Sequence, residues 1–78
     1  MGFSDLPRAS GEEHQKVFES LGWVVRKAGN HITMTHSGHF GVTLSIPNHR
    51  EVRLGTLKVL VRDAGLTDKQ YRTAFDLL

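Results

Sequence analysis

The sequence predicts a small α+β domain with the element order α-β-β-β-α-α, and three features predict it. Two capping boxes, Ser10 with Glu13 and Thr67 with Gln70, each open a run of apolar residues at helical spacing. Between them, residues 23–28 and 31–36 alternate as strands on either side of Gly29-Asn30. Pro47 then closes a third alternating run, because a residue without an N–H cannot continue a ladder.

Residues 1–8 carry Pro7 and show no period, so 1–9 is expected as an N-terminal tail and 10–78 as a single domain. The first helix spans about 11–21, with His14, Val17, Phe18 and Leu21 on one side and Gly22 as its stop. Gly29-Asn30 reads as a two-residue hairpin turn that needs φ > 0, which sets Ala28 opposite His31, Arg26 opposite Thr33 and Val24 opposite Thr35. Trp23, Val25, Ile32 and Met34 then share the apolar face. A second hairpin through Ser37-Gly38-His39 is expected to set His36 opposite Phe40, Met34 opposite Val42, Ile32 opposite Leu44 and Ser45 opposite His31.

Asn48-His49-Arg50-Glu51 makes the next loop, and a second helix buries Leu54, Leu57, Val61 and Ala64, with Leu60 alongside, before Gly65 ends it. Lys58 and Arg62 sit one turn apart on its flank as a cationic stripe. A last helix turns Tyr71, Ala74, Phe75 and Leu78 inward.

Seventy-eight residues with 38% hydrophobic content allow one thin core and little room for a deep substrate cavity. Any substrate is therefore expected to be large. The net charge of +2 is mildly basic, with Arg50, Arg53, Lys58, Arg62 and Lys69 outnumbering Glu51, Asp63 and Asp68 between positions 50 and 69. The absence of cysteine leaves no disulfide framework or thiolate metal site, which fits a reducing cytoplasm. No apolar run approaches the ~18 residues of a membrane span, and the first 25 residues lack a signal-peptide core. No phosphate loop, paired carboxylates or serine triad anchors kinase, glycosidase or hydrolase chemistry, and no cofactor is implied.

His31 begins the polar face of the central strand, which also collects Thr33, Thr35, Arg26, Thr43 and Ser45. On position alone it reads as a turn-adjacent surface histidine or as a group that moves a proton. His36 and His39, with His49 as a third ligand, form a poor metal pattern, because a turn separates the first two and no acid completes the set. Those two are expected to be solvated loop histidines, and no metal site is assigned.

The run Leu21-Gly22-Trp23, Gly29-Asn30-His31-Ile32, Ile46-Pro47-Asn48-His49, Gly55-Thr56-Leu57 and Ala64-Gly65-Leu66 resembles the HicA family of messenger-RNA interferase toxins. The resemblance covers most of the chain, from Leu21 to Leu66. It implies a fold similar to a double-stranded-RNA-binding domain, cleavage of messenger RNA, silencing by a HicB-type antitoxin, and an essential histidine after the glycine turn. By position that histidine is His31.

RNA carries its own nucleophile, the 2′-hydroxyl, so cleavage needs a base for that proton, an acid at the departing 5′-oxygen and positive charge about the phosphate, with no metal required. An imidazole suits the proton transfer because histidine titrates near operating pH. Arg26, with Lys27 as its alternative, is expected to hold the phosphate, Thr33 and Ser45 to orient the ring or bind sugar and phosphate oxygens, and His49 to assist in the loop. Lys58 and Arg62 read either as a phosphate track or as an ordinary solvated face. The expected function is thus a metal-independent endoribonuclease toxin. The alternatives are a noncatalytic RNA-binding module of the same shape and a protein-interaction domain.

Overall fold

Six elements succeed one another in the computed structural model, which describes residues 5–78. They are α1 (Gly11–Ser20), β1 (Val24–Lys27), β2 (His31–Thr35), β3 (Thr43–Pro47), α2 (Leu54–Asp63) and α3 (Asp68–Asp76), the α-β-β-β-α-α order the sequence predicts. The strands form an open antiparallel sheet in the order β1-β2-β3. Both expected capping boxes form: Ser10 Oγ accepts from Glu13 N at 3.1 Å while Glu13 Oε1 accepts from Ser10 N at 2.9 Å, and Thr67 and Gln70 repeat the exchange at α3. Gly22 follows α1 at φ 97°, a left-handed conformation that a side chain resists.

One sheet face is buried and the other is open. Ile32, Met34, Leu44 and Ile46 are almost wholly inaccessible, and α1 and α2 cover them together with Val17, Phe18, Trp23, Leu57 and Val61. Leu6 and Ala9 join this buried set, so the segment expected as a tail contributes apolar contacts from residue 6 onward, while residues 1–4 lie outside the described residues. Leu78 was expected inward and is 65% exposed, because α3 ends at Asp76 and leaves the last two leucines beyond its packed face.

The expected turn at Gly29-Asn30 and two of the pairings across it are corrected. None of the described non-glycine residues has positive φ, and Gly29 is absent from the positive-φ glycines, so the two-residue turn at Gly29-Asn30 does not form. A β-bulge replaces it: Val24 pairs with Thr35 as expected and Val25 with Met34, but Lys27 rather than Arg26 stands opposite Thr33. Ala28 therefore falls outside the ladder instead of facing His31.

The second hairpin is also longer than expected. Met34 pairs with Leu44, Ile32 with Ile46, Thr33 with Ser45 and His31 with Pro47, a shift of two residues from the anticipated register. A shift of two keeps each side chain on its face, because the strand period is two, so the apolar and polar faces remain those expected. The residues released from pairing, 36–42, become a loop in which His36 O accepts from His39 N at 3.0 Å and His39 O accepts from Val42 N at 3.1 Å.

The α1–α3 contact buries a polar pair. His14 Nδ1 and the Tyr71 hydroxyl are 2.6 Å apart, both residues are fully buried, and Phe18 and Phe75 flank them. Among the described residues His14 Nε2 has no hydrogen-bond partner. Burial pushes the imidazole from its ordinary 6.5 down to about 4, opposed by the adjacent Glu13 carboxylate, and burial also raises the Tyr71 phenol. Below pH 6.5 the unfolded chain takes a proton that the folded ring refuses, so this group's contribution is complete above 6.5 and is lost as pH falls toward 4. Denaturant unfolding should therefore show about 2 kcal/mol less stability at pH 5 than at pH 7 from this site. His14→Gln, whose amide can still bond the phenol, should flatten that slope; an unchanged slope would place the titration elsewhere.

Candidate RNA-facing site

The open face of the sheet follows from what the other face buries. With Ile32 and Met34 inward, His31, Thr33 and Thr35 of β2 point outward, and His31 is exposed at the first position of the strand. Across from His31 stands Pro47, which offers no side-chain hydrogen bond. Ser45, expected opposite the histidine, faces Thr33 instead and lies on the diagonal from the ring.

The bulge assembles the cations. In an unbroken strand Val25 and Lys27 would share the buried side, but the extra residue reverses the alternation after Val25 and sets Lys27 beside Thr33 on the open face. Arg26 is on the open face too, its Nε donating to Thr35 Oγ1 at 2.8 Å. Both basic side chains of β1 therefore share the side that carries His31, where regular alternation allows only one.

The end of the sheet that holds His31 is tied from behind. Asn48 N donates to Asn30 O at 2.9 Å, and Asn48 Nδ2 donates to Gly29 O at 3.0 Å, which fastens the β1–β2 connection to the end of β3. The loop after β3 is fastened in turn to the α1 entry: Gly11 N donates to His49 O and Val52 N to Ala9 O, each at 2.9 Å, and Arg8 pairs with Glu51. His49 is exposed and belongs to this same end. Asn48 is the residue that sequence reasoning passed over, and its place directly after the strand-ending Pro47 was the available signal.

Lys58 and Arg62 stand apart from this face. They project from α2, and the Lys58 ammonium pairs with Asp68 at 3.0 Å, bridging α2 to the first turn of α3. Arg62 makes no ion pair among the described residues. The structure thus brings together His31, Thr33, Ser45, Arg26 and Lys27 on one face, with His49 at its end, and places the α2 pair on another element.

His36 and His39, expected as solvated loop side chains, are half-buried against Trp23. His36 Nδ1 accepts from Gly38 N at 2.8 Å and its Nε2 lies 3.1 Å from Leu21 O, which assigns the proton to Nε2 and leaves neither nitrogen for a metal. Among the described residues no three His, Asp or Glu side chains are grouped as a metal site.

The fold and face define a small helix-backed sheet that offers a shallow polar surface. The family model for the HicA toxin of bacterial toxin-antitoxin systems matches residues 11–66, from the first residue of α1 to the residue before the α3 cap. The chain belongs to the HicA toxin family, and is thereby the toxin of a toxin–antitoxin system with an antitoxin as its partner. No curated protein matches the chain. No helix among the described residues is long and apolar enough to cross a membrane.

Gly11 is the point where the site's support can be broken without touching the site. A Cβ there would collide with Pro47 O and stand 2.9 Å from Asn48 Cα, both backbone atoms that cannot swing aside. Gly11→Ala should cost about 1–3 kcal/mol in denaturant unfolding, the usual range for overpacking, and should move the amide resonances of Gly29 and Asn30. Unchanged stability and spectra would show that the 47–49 loop is not held from α1.

Proposed function

We propose that the protein is an endoribonuclease that cleaves messenger RNA in the cytoplasm without a metal ion, and that a HicB-type antitoxin silences it. In this reading His31 takes the proton of a ribose 2′-hydroxyl. The 2′-oxygen attacks the adjacent phosphorus, the bond to the 5′-oxygen breaks, and that oxygen takes a proton from water, giving a 2′,3′-cyclic phosphate and a 5′-hydroxyl end while His31 later returns its proton to solvent. Lys27, beside Thr33, supplies positive charge to the phosphate as it gains a fifth oxygen, and Arg26, held at the Thr35 end of the face, binds a phosphate further along the strand. Thr33, Ser45 and His49 bind sugar or phosphate oxygens beside it, and Lys58 and Arg62 attract more distant phosphates from α2.

What supports the reading most is the exposed His31 ring on an open sheet face that also carries both cations of the bulged β1. A shallow face of this kind suits a polymer rather than a small molecule, because it encloses little of any ligand. Membership of a toxin family supplies the biological setting, in which an RNA-cleaving surface must be covered until it is needed.

Labelled RNA incubated with the protein in chelator should yield fragments, and His31→Ala should lower the rate by about 10²–10⁴, the range for removing a positioned acid or base. Cleavage that survives the substitution would remove His31 from the chemistry, and a mobility shift without fragments would make the domain a binding module. Replacing Arg26 and Lys27 with glutamine should reduce the slope of log Kobs against log[salt] for single-stranded RNA by about 1.4, or ~0.7 per neutralised contact. A slope equal to the parent's would mean these cations touch no phosphate.

A further inference from the structure

The end of the open face away from His31 carries a groove of about 410 Å³, walled by Val24 and Arg26 of β1 and by His36, His39, Phe40 and Val42 of the β2–β3 connection. We infer that this groove is a nucleobase subsite, which takes one unpaired base of the RNA strand whose backbone crosses His31. The inference rests on the ribonuclease reading for the identity of the ligand as RNA, though not for the cutting of it.

Its floor is formed by the rings of His36 and His39, which are held in place against Trp23, itself only 3% exposed and lying beneath them. Trp23 and His39 lie stacked at 5.2 Å and 24°, His36 meets Trp23 edge-on at 5.3 Å, and His36 meets His39 at 4.9 Å and 87°. The hydrogen bonds of His36 to Gly38 and Leu21 prevent that ring from turning, and the glycine at 22 is required there, since a Cβ would stand 2.6 Å from His36 Nε2. Such rings are the surfaces on which unpaired bases stack, and that stacking accepts any base because every base has a π-face.

The rim supplies what the floor lacks. Phe40 is fully exposed and the fold makes no use of its ring, while Val24 beside the groove is 53% exposed. Arg26 is anchored through Nε to Thr35, and its terminal amino groups make no hydrogen bond or ion pair among the described residues. An aromatic rim, a ring floor and a guanidinium with free donors match a base together with its phosphate. An apolar protein segment is the poorer occupant, since Ser37 and Thr43 also line the groove and it would bury their hydroxyls without offering them partners.

The groove and His31 lie at opposite ends of β2, about 13 Å apart at ~3.3 Å per residue. A base held there belongs to a nucleotide removed from the scissile phosphate, so the groove would set where along a message the strand is cut rather than how fast.

The test uses the full chain carrying His31→Ala, so that RNA survives the measurement, and fluorescein-labelled octauridylate and octaadenylate as probes. Adding Phe40→Ala should weaken binding of at least one probe about tenfold, within the ~5- to 150-fold range measured for a lost base stack, and Phe40→Trp should restore it. Because Phe40 is wholly in water, neither change threatens folding. In the active protein Phe40→Ala should redistribute the cut sites. RNA affinity unchanged by Phe40→Ala overturns the subsite, and if the protein with His31 intact still cuts RNA, the ribonuclease reading stands without it. Phe40-dependent binding by a wild-type protein that cuts nothing keeps the subsite and refutes the ribonuclease. A wild-type protein that binds neither probe refutes both.

Discussion

The β2–β3 ladder governs the rest of the molecule. Ile32 pairs with Ile46 and Met34 with Leu44, and all four side chains are buried. Each such burial stabilises by about 1.5–3 kcal/mol, so a slip of one residue, which would turn the whole set to water, costs far more than a small domain can bear. The polar residues between them have no choice of side. His31, Thr33, Thr35, Thr43 and Ser45 face water because their neighbours do not, and the candidate chemistry sits on a surface that the core has already oriented.

Support for the His31 end comes from parts of the chain far away in sequence. Asn48 holds the Gly29-Asn30 connection, the α1 entry holds the loop after Asn48, and the buried His14–Tyr71 pair joins α1 to α3. That gives α3, which lies outside the 11–66 family match, a physical connection to the face that carries His31. The connection runs through packed backbone and buried rings, which transmit displacement better than exposed ion pairs such as Arg72–Asp76.

The open face has two different ends. One carries an imidazole with Lys27 on the neighbouring strand, and the other carries a ring cluster with the Arg26 guanidinium and an exposed phenylalanine. A toxin of this family has an antitoxin as its partner, and the uncovered sheet face is surface open to solvent. The bulge after Val25 connects the two ends, because the same extra residue sets Lys27 toward His31 and Arg26 toward the groove.

Much was legible from residue order. The two capping boxes, the apolar stripes of the helices, the end of β3 at Pro47 and the sidedness of β2, of β3 and of β1 as far as Val25 are signals of local period, and a period of 2 or 3.6 needs no knowledge of distant partners. His31 could be placed on the polar face for that reason. The bulge, the seven-residue connection 36–42, the diagonal place of Ser45, the burial of Leu6 and the packing of His36 and His39 on Trp23 were not legible. Each depends on which long-range pairing buries the most apolar surface, a competition that the spacing of residues in one segment does not encode.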